Sequence, residues 1–164
     1  MFELGWAKNG TPNTLTSSSA TLAVTDLTAT KFNTMLTHTI VTGGNVNTQF
    51  TLDGDTSTSY ADRRSKDGAA DNVQTSVAFW YGSYTDTPND EFVVCYLINI
   101  SGEEKLKIFN LIHRGTAGAG TAPNRVEGVG KFDTTAGQIT RADYDDGSTG
   151  TYDIDSNMSF HGTD

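Results

Sequence analysis

The chain has 164 residues, 11 basic against 20 acidic side chains, a net charge of -9 and only 35% hydrophobic residues, enough for one core but cramped for two. An acidic chain repels a phosphate backbone, which argues against a nucleic-acid partner. No window approaches the roughly 18 apolar residues of a membrane helix, and the start MFELGWAKNG lacks the basic, apolar and small-residue pattern of a secretory leader, so no membrane partner is expected.

Mean hydropathy is -0.40. The chain nevertheless carries 10% aromatic residues, 26 Thr and 17 Gly, with 3 Pro. Thr suits a pleated, half-buried surface, while Gly, Asn and Asp suit tight turns, so short strands joined by many loops are expected and long amphipathic helices are not. In chain order, Phe2, Leu4 and Trp6 alternate in a first short strand, and a loop follows from Asn9 to Ser19. Leu22 and Val24 mark a second strand. Phe32 to Val41 reads as a strand with both faces partly covered, because Phe32, Leu36 and Ile40 share one parity and Met35 and Val41 the other.

Gly43 and Gly44 supply a turn, and Val46, Thr48, Phe50 and Leu52 then alternate with polar residues in the cleanest period-2 pattern of the chain. Asp53-Gly54 carries hairpin-turn chemistry. A polar stretch containing Tyr60, Arg63 and Arg64 leads to Val73, Thr75, Val77 and Phe79, again spaced by two. Phe92 to Ile100, FVVCYLINI, is apolar on both parities and is expected to be a central strand buried on both faces, with Leu106 to Ile112 its antiparallel partner across a polar turn. The stretch GTAGAGTAPN is an extended loop. Val126 to Phe132, Ile139 to Tyr144, and Met158 with Phe160 close the series. The expectation is an all-β, mostly antiparallel β-sandwich or jelly roll of roughly nine or ten strands, filling residues 1–164 as a single domain.

Little in the chain points to catalysis. It holds no nucleophile elbow, no zinc-protease motif and no phosphate-binding loop. Cys95 lies in the most apolar run, where an inert buried thiol is expected. His38, His113 and His161 lack metal-ligand spacing. Asp53 with Asp55, and Asp143, Asp145, Asp146, Asp153 and Asp155, gather in turns; such oxygens can hold calcium, but solvated turns are the plainer reading and no metal or cofactor is assigned. The aromatic cluster Trp80, Tyr81 and Tyr84 around Gly82 can anchor a protein interface or stack on a sugar face; alternatively Phe79 and Trp80 belong to the core and the tyrosines alone are exposed. Arg63 and Arg64, with Lys66, form a basic knot that either docks on an acidic neighbour or is a solvated loop. The sequon matches at Asn99 and Asn157 are weak signals.

The stretches SYADRRSKDGAAD (Ser59 to Asp71), FVVCYLINISGEEKL (Phe92 to Leu106), TAGAGTAPNRVEGVGKF (Thr116 to Phe132), QITRADYDDGSTGTYD (Gln138 to Asp153) and the closing HGTD resemble small virion structural proteins of tailed bacteriophages and related environmental viruses. The resemblance spans most of the chain from Ser59 onward. The chain departs from it at FWYGSY, Phe79 to Tyr84, where those proteins are small and aliphatic. It implies a β-sandwich or jelly-roll component of the capsid or tail surface, non-enzymatic, that oligomerises or decorates the particle. Its partners would be identical subunits and other virion proteins. The alternative is an adhesin that uses the aromatic cluster on a host surface glycan.

Overall fold

The computed structural model describes residues 5–82 and 90–164. The reading of Phe2 and Leu4, and that of Tyr84, fall outside the described residues. All described regular structure is strand: β1 (Ala7–Thr14), β2 (Thr21–Val24), β3 (Phe32–Thr39), β4 (Thr48–Leu52), β5 (Tyr60–Lys66), β6 (Asn72–Val77), β7 (Trp80–Tyr81), β8 (Glu91–Ile98), β9 (Lys105–His113), β10 (Asn124–Phe132), β11 (Ala142–Asp146) and β12 (Asn157–Thr163). Every pairing between them is antiparallel. An eight-stranded sheet in the order β1-β12-β3-β8-β9-β10-β5-β6 faces a four-stranded sheet in the order β2-β11-β4-β7, so the fold is a β-sandwich.

Apart from the first, read on Phe2, Leu4 and Trp6, the expected strands are present, joined by three that alternation did not reveal. β1 occupies part of the stretch read as a loop. Its sequence is polar, but Asn9 is buried and its side chain donates to Asn33 Oδ1 (2.7 Å) and accepts from the Thr28 amide (2.7 Å), which fixes the strand against its neighbours. β5 is the polar stretch YADRRSK, held by pairing to β10 and β6. β7 is only two residues long.

The Asp53-Gly54 turn has the expected left-handed geometry, with φ of 53° and 69°. It does not close a hairpin, however, because β4 and β5 lie in different sheets. The Asp53 carboxylate accepts the amides of Thr140 (2.7 Å) and Arg141 (3.0 Å), which directs the chain across the sandwich instead of back along β4.

One core fills the space between the sheets, and its largest members are aromatic: Trp80, Tyr60, Tyr144, Tyr152, Phe50, Phe132 and Phe160 are fully buried. Such rings fit only where the facing strand is thin. Gly130 in β10 provides this, since a Cβ there would lie 2.7 Å from Trp80 Nε1 and 2.8 Å from Lys107 Cε. Gly130→Ala should therefore overpack the core and lower stability by about 1–3 kcal/mol in urea unfolding, with the far-UV spectrum unchanged.

Candidate functional site

Side chains on a strand alternate between faces, so β8 and β9 each present one row to the core and one to solvent. On β9 the division runs against composition. Lys105, Lys107, Phe109, Leu111 and His113 point inward, while Leu106, Ile108 and Ile112 point outward. Ile108 is 57% exposed and its neighbour Lys107 only 3%. β8 shares the pattern: Val93, Cys95 and Leu97 are buried, but Phe92 and Tyr96 are exposed. The expectation that β8 is buried on both faces is corrected, because no layer covers the outer side of the eight-stranded sheet among the described residues.

The register turns these outward residues into cross-strand rows. Thr34, Tyr96, Ile108, Val129, Arg63 and Val73 lie side by side across six strands, and Phe32, Ile98, Leu106 and Lys131 form the next row. His38, Phe92, Ile112 and Arg125 form another row nearer the opposite end of the strands. Between the first two rows lies an almost wholly apolar hollow of about 630 Å³, reached by Trp6, Phe32, Tyr96, Leu106, Ile108 and Val73. A hollow lined in this way, on a face flanked by further exposed apolar side chains, is the kind of surface that binds a partner.

Three cations on this face sit beside acids of the same chain. Arg63 pairs with Asp71 (3.0 Å), Lys131 with Glu104 (3.2 Å) and Arg125 with Glu127 (3.9 Å). A second set of carboxylates belongs to the four-stranded sheet and its turns. Asp143 pairs with Arg141 (2.6 Å), Asp145 accepts from the Thr21 hydroxyl (2.7 Å), and Asp146 accepts from the Asn47 and Ser148 amides (both 2.9 Å). Asp153 accepts from the Thr42 amide (2.7 Å). Hydrogen bonds hold Asp146 and Asp153 below the usual carboxylate range: for Asp153 the Thr42 hydroxyl acts most strongly, and for Asp146 the Ser148 hydroxyl and the amides together outweigh burial, the largest single influence, which works in the opposite direction. Each of these acids anchors a strand end or turn, and among the described residues no group of three or more His, Cys, Asp or Glu gathers as metal ligands.

The residues singled out from sequence do not form one site. Trp80, read as a candidate contact residue, is fully buried, and the alternative reading of it as core is the one the structure shows. Its indole N–H is shared between the carbonyls of Ala61 (3.0 Å) and Lys131 (3.1 Å), which face each other across β5 and β10. Tyr81 is half-buried, edge-on to Phe79 and beneath the Arg64 guanidinium, 4.0 Å from its ring centre. Arg64 also pairs with the buried Asp62 (3.2 Å), so its role is internal. Arg63 alone lies on the outer face and lines the hollow. Of the sequon residues, Asn99 is fully buried and bonded through its side chain to the backbone of Ile139.

Beneath the outer face, Lys107 is enclosed by rings, its ammonium 4.4 Å from the centres of Trp80 and Phe109 and 5.5 Å from Phe50. Ring faces attract a cation. Burial nonetheless dominates and pushes the Lys107 amine down to about 8. Burial pushes the Cys95 thiol up to about 11, and lowers His113. Lys105, also lowered by burial, donates to the carbonyls of Ile100 and Glu103 (both 2.7 Å), which closes the turn before β9.

No family model matches the chain, and no curated protein matches it significantly. Among solved structures, the CBM2 module of the evolved Dit of Lactobacillus casei BL23 phage J-1 is similar over 93% of this chain and 76% of that one, at 10% identity and a TM-score of 0.24, a likeness too slight to bear on fold or function.

The buried amine makes a testable demand on stability. The unfolded chain holds the Lys107 proton up to about pH 10.4, while the folded chain releases it near pH 8, so above pH 8 the unfolded state binds more protons and stability rises with pH. Above about pH 9 the raised Cys95 thiol opposes this trend. Urea unfolding should therefore gain on the order of 1 kcal/mol between pH 8 and 9, and Lys107→Met should abolish the gain. An equal gain in that variant would place the titration elsewhere.

Proposed function

We propose that this chain is a non-enzymatic structural or adhesive subunit of a virus particle that works by cohesion through the outer face of its eight-stranded sheet. The observation that carries the reading is the outward placement of Leu106, Ile108 and Ile112 on β9 while two lysines are buried behind them. Burying an ammonium is costly, and leaving aliphatic side chains about half exposed forgoes roughly half of the ~1.5–3 kcal/mol that full burial of each would give. An arrangement of this kind makes sense where another surface covers the outer row. The resemblance to small virion structural proteins of tailed bacteriophages, which takes in β8, the β8–β9 turn and β10, supports a capsid- or tail-surface location.

A glycan-binding role is the second reading, favoured by Trp6 and Tyr96, two exposed rings at the hollow. Sugars present many hydroxyls that need polar partners, and the hollow is almost wholly apolar, so a protein surface is the better fit. The two readings separate in fluorescence. Trp6 is half exposed and Trp80 is buried, so a sugar stacked in the hollow would move only the Trp6 signal. Titration with a panel of mono- and oligosaccharides should leave the emission unchanged; a saturable shift lost in Trp6→Phe would put the glycan role first.

The virion role is checked on particles. Peptide mass spectrometry of density-banded particles from a lysate that expresses this chain should find it in fixed ratio to the major capsid protein. Its presence in the lysate and absence from the banded particles would overturn the reading.

A further inference from the structure

We infer that the partner on the outer face is a second copy of this chain, packed sheet to sheet about a twofold axis; the inference rests on the reading of that face as cohesive. Area, charge and shape support it.

Eight strands about 4.8 Å apart and about eight residues long present a surface of roughly 34 by 27 Å, or about 900 Å². That matches the ~800 Å² that each partner contributes to a standard stable interface. Two copies of a chain with net charge -9 repel each other over most of their surface. On this face Arg63, Lys131 and Arg125 each meet an acid of the same chain, and the acids Asp53, Asp55, Asp143, Asp145 and Asp146 belong to the other sheet and its turn. The outer face is therefore where two copies approach with least repulsion.

The face is also complementary to itself. The apolar hollow lies at the Leu106 and Phe32 end, whereas exposed Phe92 and Ile112 stand at the other end of the same strands, about 20 Å away at ~3.4 Å per residue. A twofold axis lying in the interface across the strands, midway between the Val94–Asn110 and Tyr96–Ile108 pairs, sets the Phe92–Ile112 row of each copy over the Ile98–Leu106 row at the hollow of the other. Contacts of this isologous kind come in equal pairs and close the assembly at two subunits. Two sheets stacked in this way pack about 10 Å apart.

The test is the solution mass of the purified full chain by light scattering. At about 100 µM, at or above the weakest dissociation constants typical of an interface of this area, the wild type should show about twice the 17.6 kDa chain mass. Added salt should tighten association by screening the repulsion between the acidic bodies. Phe92→Lys and Leu106→Glu alter solvent-facing positions, so each should keep the wild-type far-UV spectrum and run as a monomer. Mixed together they should recover the double mass, because the heterodimer sets a lysine against a glutamate on one side of the axis and keeps Phe92 against Leu106 on the other. A wild type that stays monomeric at raised salt would overturn the inference and leave the particle measurement to decide the cohesive reading separately. A dimer that both variants retain would also overturn it, by placing the contact on another surface.

Discussion

The Trp80 indole ties the two sheets together across the core. Trp80 belongs to the four-stranded sheet, where it pairs with Phe50, yet its N–H reaches across the core to two facing carbonyls of the eight-stranded sheet. Tyr60 makes the reciprocal crossing, accepting the Leu52 amide (3.0 Å) and donating to the Asp55 carbonyl (3.0 Å). Around these bonds the rings of Tyr60, Phe132 and Phe50 lie within 4.5–6.4 Å centre to centre of one another or of Trp80. A buried donor without partners would cost about 1–3 kcal/mol, so the indole and the Tyr60 hydroxyl together favour one separation and lateral position of the sheets.

That constraint decides what the eight-stranded sheet shows to solvent. Gly130 must face inward to admit Trp80, which sets the parity of β10; the continuous register of β10 with β9, and of β9 with β8, then sets theirs. Lys105 and Lys107 are carried inside and Leu106, Ile108 and Ile112 outside. The interior accommodates the lysines by different means: carbonyl acceptors take the Lys105 ammonium, and ring faces surround that of Lys107. The outer row has no comparable accommodation within the described chain, and this is the physical basis for assigning it to an interface.

Much of the fold was legible where one face of a strand is apolar and the other polar. Val46 to Leu52 carries such a signal, and Gly43-Gly44 and the Gly-rich stretch after His113 mark loops for clear stereochemical reasons. Strand parity was not legible in β8, because Phe92 to Ile98 is apolar on both faces and alternation then says nothing about which is inside. β5 was hidden because its inward residues include Asp62 and Arg64, which satisfy one another instead of packing as hydrophobes. The site followed the same divide. Trp80 and Tyr81 stood out as an aromatic cluster, but only the facing glycine and paired carbonyls, distant in sequence, show that Trp80 is internal. Arg63 is on the outer face because it is one residue out of phase with Arg64, a distinction that appears only once the β5–β10 register is known.

The most direct test of the outer face as a covered surface is hydroxyl-radical labelling of the chain, free and in the assembled particle. With the free chain diluted below its association range, Phe92 and Tyr96 should label readily, and in the particle they should be protected, while Trp80 stays protected in both. Equal labelling of Tyr96 in the two states would contradict the assignment of this face to cohesion.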